Sequence, residues 1–259
     1  GIKIRRKKFP KDPQAAMDEL DKTIKRGIPV GCLVGVYHLS YFPEAYRFHF
    51  NAHNLVVYEK SGNTYTISDP IMETPVTLTY DELKRVRYAK GTYPPKGRMY
   101  YMENIPPDFN LGKAIIKSLH KTSRQMLTIP IPLFGVKGIR YMAKRMRKWP
   151  QKLGDRKASL YLGQVVRMLE EIGTGGAGFR FLYAAFLQEA ARELDKPDLN
   201  ELSNQMTAAG DRWREFAIIA GRIFKGRSGA GESYLAASEI LLDIADREEK
   251  IYRELLKIK

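Results

Sequence analysis

"HFNAHNLVVYEKSGNTYTISDP" (residues 49–70) decides how the first part of the chain folds. His53 opens an apolar strand, a short turn follows, and a second strand closes on Asp69-Pro70. If Lys60-Ser61-Gly62 is a three-residue loop, Gly62 takes the left-handed position such loops favour. The flanking residues then oppose one another as Glu59 with Asn63, Val57 with Tyr65, Leu55 with Ile67 and His53 with Asp69. Opposed residues of antiparallel strands share a face, with Cβ atoms about 5 Å apart. A two-residue Ser61-Gly62 loop would shift the register by one and send Asp69 to the other face. The three-residue loop is the expectation, because it places Gly where positive φ is needed. An imidazole beside a carboxylate is held in one tautomer, which suits a general base acting on a thiol or hydroxyl. The same pair could equally do no more than cap two strands. His49 and His53 have the i, i+4 spacing of a helical metal pair, but the stretch does not read as helix and no third ligand is near in sequence, so no metal site is expected.

Working outward, "PQAAMDELDKTIKRG" (13–27) sets Ala16, Met17, Leu20 and Ile24 at helical spacing and stops at Gly27. "IPVGCLVGVYHL" (28–39) reads as a buried strand. Thr79 and Glu82 have capping-box spacing, so a short helix starts there, and "GRMYYME" (97–103) reads as a last strand. "NIPPDFN" (104–110) is a Pro-rich joint. Beyond it helical patterns cover roughly 111–127, 136–148, 157–172, 178–194, 198–225 and 231–256, divided by Pro and Gly, with no strand and no internal repeat. The fold class expected is α+β: a domain over 1–105 with an antiparallel sheet, then an all-α bundle over 106–259.

The 259 residues carry a formal charge of +15, with 44% hydrophobic and 28% charged residues. That composition fits a globular protein and excludes disorder. A basic chain attracts acidic partners without naming them, and many basic proteins are simply soluble. One cysteine excludes an internal disulfide and suits the cytoplasm. No window reaches the length of a membrane span, and no signal peptide is visible. The first residue is Gly1, so the expectation is a chain that lost its Met or begins inside a longer one.

A general base needs a nucleophile. Cys32, the only thiol, lies inside an apolar strand, where a cysteine is usually a small core residue rather than an activated thiolate. No Ser sits in a Gly-x-Ser-x-Gly elbow.

"GIPVGCLVGVYHLSY" (27–41), the 49–70 stretch and "VTLTYDELKRVRYA" (76–89) together resemble the N-terminal domain of the butirosin biosynthesis protein H family. "EEIGTGGAGFRFLYAAFLQEAA" (170–191) and "DRWREFA" (211–217) resemble the helical domain that follows it there. The resemblance implies a papain-like cysteine fold, related to bacteriocin-processing peptidases. It also implies acyl transfer from a carrier-protein thioester to an amine. His53 matches the family's catalytic His and Asp69 the acid on the next strand. The family's nucleophilic Cys lies in an N-terminal His-Cys segment that these residues do not contain. The expectations are therefore an incomplete papain-like domain that performs no covalent catalysis as given, and a Cys upstream of Gly1. Alternatives are a non-catalytic scaffold that keeps the fold, or a peptidase of the bacteriocin-processing type. No cofactor is expected, since phosphopantetheine would arrive on the partner.

In the helical part, "GTGGAGFR" (173–180) joins two helical patterns. Glycine backbone N–H groups and a helix N-terminus favour an anion, so Gly173, Gly175, Gly176 and Arg180 are candidates to hold a phosphate or carboxylate. A tight interhelical turn explains the same glycines. Glu170 or Glu171 could face this loop. A basic stretch runs through "VKGIRYMAKRMRKWPQKLGDRK" (136–157), with an apolar stripe at three-to-four-residue spacing, as in a helix that packs on one face and is basic on the other. Arg140, Lys144, Arg147 and Lys148 are candidates to dock an acidic acyl carrier protein. No nucleic-acid signature accompanies the charge, so nucleic acid is not expected.

Overall fold

The fold is α+β, as the sequence predicts. The computed structural model describes residues 2–171 and 176–259. The chain divides into two compact units, one ending at Phe109 and the other beginning at Asn110.

The first unit holds a six-stranded sheet. Its strands are β1 (Lys3–Lys7), β2 (Val30–Val34), β3 (His53–Ser61), β4 (Thr64–Ser68), β5 (Val76–Thr79) and β6 (Met99–Asn104). They are ordered β1-β6-β2-β3-β4-β5, and each neighbouring pair is antiparallel. Helix α1 (Pro13–Ile24) begins where the Asp12 side chain accepts the Ala15 N–H at 2.9 Å, with Pro13 in its first turn. It buries Ala16, Met17, Leu20 and Ile24 against the sheet's core face. Helix α2 (Tyr80–Arg87) starts on the expected capping box of Thr79 and Glu82.

The β3–β4 hairpin departs from expectation, and the departure is informative. Ser61 pairs with Thr64, so the loop is the two residues Gly62-Asn63, not Lys60-Ser61-Gly62. Gly62, at φ +55°, supplies the positive φ. A two-residue loop alone would put Asp69 on the opposite face from His53. The ladder, however, slips between Val57 and Glu59, leaving Tyr58 as the extra residue of a β-bulge. Beyond the bulge Val57 pairs with Ile67 and Val56 with Ser68. One step further, Leu55 faces Asp69, and His53 lies diagonally along the same face. The bulge also turns Lys60 inward, where it reaches Asp21 of α1 and lies 5.0 Å from the centre of the Tyr65 ring.

At the crossing of β2 and β6, Gly31 pairs with Tyr100. A Cβ on residue 31 would stand 2.3 Å from the Tyr100 ring. Gly31→Ala is expected to cost about 1–3 kcal/mol in a denaturant titration, because the ring must leave the strand's surface.

The second unit is helical throughout its described residues. It contains α3 (Leu111–Thr128), α4 (Gly135–Met146), α5 (Trp149–Leu153), α6 (Asp155–Glu170), α7 (Arg180–Leu194), α8 (Asp198–Phe224) and α9 (Tyr234–Leu255). The basic stretch 136–157 runs through α4, α5 and the first residues of α6, with α5 a short extra helix between the patterns expected over 136–148 and 157–172. Pro150 in the first turn of α5 cannot donate to a preceding turn, and Gly154 leaves the helix at φ +76°. Leu187, Met206, Trp213, Phe216, Leu241 and Ile244 centre the core. No helix among the described residues is long and apolar enough to cross a membrane.

Candidate active site

His53 and Asp69 meet. His53 Nε2 is 2.7 Å from Asp69 Oδ2. The Asp69 side chain is fully buried and that of His53 is 11% exposed. Asp69 is fixed by its own turn: Met72 N–H donates to the Asp69 carbonyl at 3.0 Å across Pro70, and Ile71 N–H donates to Oδ1 at 2.9 Å. This is what Asp-Pro at the head of a turn is suited to do. A third donor leaves no mark in the sequence. Tyr41 Oη donates to the same Oδ2 at 2.7 Å, from the segment between β2 and β3. Its neighbour Phe42 sets its ring edge-on to the His53 imidazole at 5.6 Å. No spacing pattern points to Tyr41, because its segment has little regular structure.

Burial pushes the Asp69 carboxyl up, but hydrogen bonds from His53, Tyr41 and the Ile71 backbone outweigh it and hold it below its ordinary value of 3.8. Burial, then the bond to Asp69, pushes the Tyr41 hydroxyl well up, so it stays a donor. With Nε2–H donating to a carboxylate, the Nδ1 lone pair is left as the base. Nδ1 makes no hydrogen bond among the described residues.

The depressed Asp69 value has a pH consequence. The stabilisation is complete above about pH 5 and is lost as pH falls below 3.8 through the folded-state value. The melting temperature of Asp69→Ala, read from pH 6 down to 2, is expected to fall less steeply in acid than that of the parent chain. Parallel slopes would remove the carboxylate from this account.

Cys32 is on β2, opposite Leu55 and completely buried. Burial pushes its thiol up, so it is a core residue and not an activated nucleophile. His49 stacks on Tyr37 at 4.2 Å, while His53 faces Asp69.

Comparison with known families covers nearly the whole chain. Residues 81–255 match the family described as a domain of unknown function, DUF4872. The chain belongs to the DUF4872 family. Residues 1–70 match the family described as butirosin biosynthesis protein H, N-terminal, a stretch that takes in both His53 and Asp69. No curated protein matches.

The DUF4872 part contains the other residues singled out in the sequence. Gly173 and Gly175 lie outside the described residues. Gly176, at φ +85°, begins a left-handed turn through Phe179. The Ala177 N–H of that turn donates to Glu170 Oε1 at 3.1 Å, so the turn takes a carboxylate from its own preceding helix. Arg180 forks onto the buried Glu248 at 2.8 and 3.0 Å and donates its remaining nitrogen to the Gly178 carbonyl at 2.9 Å. Its guanidinium thus stands in an internal ion pair rather than open to an incoming anion. Among the docking candidates, Arg140 is held by Asp246 and Glu249. Lys144, Arg147 and Lys148 are exposed, with Lys144 on α4 and the other two between α4 and α5.

Proposed function

We propose that His53 and Asp69 are the base and orienting acid of a Cys-His-Asp acyltransferase site in a papain-like domain, of the kind implied by butirosin biosynthesis protein H. The observation that carries this is the buried carboxylate on Nε2, which leaves Nδ1 to take a proton. The thiol would be presented from outside residues 1–259, since Cys32 is committed to the core. In the first half-reaction Nδ1 removes the thiol proton and the thiolate adds to a carrier-protein thioester. The pantetheine thiol then leaves, taking the proton from His53. In the second, an amine attacks the acyl-enzyme, His53 takes its proton, and the enzyme thiol is released. The acyl carrier protein is acidic, and Lys144, Arg147 and Lys148 are candidates to steer it.

The test is thioester turnover by the protein translated from the complete gene. His53→Ala is expected to abolish it, with thermal stability changed by about 1 kcal/mol. The 259-residue chain incubated with an acyl-pantetheine thioester is expected to gain no acyl mass. Retained turnover in the His53 variant, or an acyl group on Cys32, would overturn the assignment. A second reading is favoured by the burial of Cys32: the same fold serving as a non-catalytic scaffold. It predicts no turnover by either protein.

A further inference from the structure

Between Asp108 and Asp155 the chain has no acidic residue and eleven lysines and arginines, most of its +15 excess. Four of these, Lys113, Lys117, Lys121 and Arg124, are exposed on α3 at i, i+4, i+8 and i+11. That spacing sets them on one face, about 6 Å apart per turn. None makes an ion pair among the described residues. The arrangement works against the helix. Lys113 stands in the first turn, at the positive end of the dipole, and Lys113–Lys117 and Lys117–Lys121 are like-charged i, i+4 pairs. No residue of the first turn is acidic to offset them.

Beside this row runs an open groove of about 590 Å³, lined by the four cations with Ile116, His120 and Gln125. His120 is fixed there by Nε2 on the Ile258 carbonyl at 2.8 Å. The remaining sides of α3 pack against α4, α7 and α9. The exposed face is therefore a row of four cations flanking the half-buried Ile116.

We propose that this face of α3 docks an acidic amphipathic helix of a partner protein. Carboxylates at i and i+4 of such a helix repeat at the spacing of the lysines, and its apolar side meets Ile116. A row of cations repeating along one helix suits a rod laid alongside it better than a flat bilayer. The lining holds no Phe, Tyr or Trp, and its one ring, His120, is tied to the Ile258 carbonyl, which leaves nucleic-acid bases little to stack on. The proposal stands whether or not His53 and Asp69 transfer acyl groups, because its test reads binding alone.

The test uses the 259-residue chain and a labelled synthetic helix with Glu and Leu on opposite faces, followed by fluorescence anisotropy. Binding is expected to weaken with salt and to fall about tenfold or more in Lys117→Glu/Lys121→Glu. Lys225→Glu/Arg227→Glu changes the net charge equally, at exposed positions away from this face, and is expected to bind within about twofold of the parent. All four side chains are exposed, and the thermal unfolding of both variants checks that they fold. Equal losses in the two variants would reduce the attraction to bulk charge and overturn the proposal. So would failure to bind the peptide, or tighter binding of a uridine homopolymer or of phosphatidylserine vesicles.

Discussion

Glu248→Ala is expected to destabilise the helical unit by about 3–5 kcal/mol, the range for removing one partner of a buried ion pair. Glu248 lies on α9 with its side chain fully buried. It accepts two hydrogen bonds from Arg180 on α7 and a third, at 2.7 Å, from Trp213 Nε1 on α8. Arg180 also stacks over the Trp213 ring, 4.8 Å from its centre. One carboxylate therefore ties three helices together. Its removal would leave a mostly buried guanidinium without a counter-charge and an indole N–H without an acceptor. Glu248→Gln keeps the shape but not the charge, and is expected to fall between the parent and the alanine variant. The double variant Arg180→Met/Glu248→Leu is expected to recover most of the loss, since it removes both charges and restores volume. Urea unfolding of the four proteins reads the series. A cost under about 1 kcal/mol for Glu248→Ala would mean the pair is solvated. The guanidinium would then be available for an anion after all.

How far such features were legible in the sequence depends on the range of the interactions that make them. The helices of the second unit follow from apolar residues at three- and four-residue spacing, and their expected limits lie within a few residues of those observed. The local sequence around Arg180 suggests an anion ligand, while the Glu248 carboxylate it pairs with is 68 residues away on α9, beyond any local pattern. The edge strands β1 and β5 leave little trace in the sequence for another reason. Lys-Ile-Arg-Arg-Lys does not alternate in polarity, and Val76–Thr79 is only four residues long. Charge and shortness are what protect sheet edges from pairing with other chains, and they also hide them. The hairpin is the more instructive case. The sequence suggests a loop one residue longer than the one observed, and no residue type marks the bulge at Tyr58. Both devices absorb one residue, so His53 and Asp69 share a face either way. Parity, not the turn, is what sets the two side chains on one face. Tyr41 illustrates the limit: a single hydroxyl brought to Asp69 by a loop leaves no periodic trace.

In the protein translated from the complete gene, Asp69→Asn is expected to lower thioester turnover about 10⁴-fold, the scale of loss when a triad's orienting carboxylate becomes an amide. The geometry says why. Ile71 N–H needs an acceptor, so the amide oxygen takes the Oδ1 position, and the NH₂ group falls where Oδ2 faced His53 and Tyr41. The amide then donates toward Nε2, which must become the acceptor. The ring proton moves to Nδ1, the nitrogen that should have been free, and the base is lost with its position intact. Tyr41→Phe is a milder perturbation. It strips one donor from Oδ2 but leaves the His53 bond and the Ile71 bond, so a loss of about tenfold is expected, close to the worth of one hydrogen bond to a charged group. The order of the two variants carries the argument. A strong Asp69→Asn effect with a weak Tyr41→Phe effect requires a tautomer set by the carboxylate. Equal and modest effects would mean that Asp69 only shapes the turn after β4, and the imidazole beside it would then have no base to be.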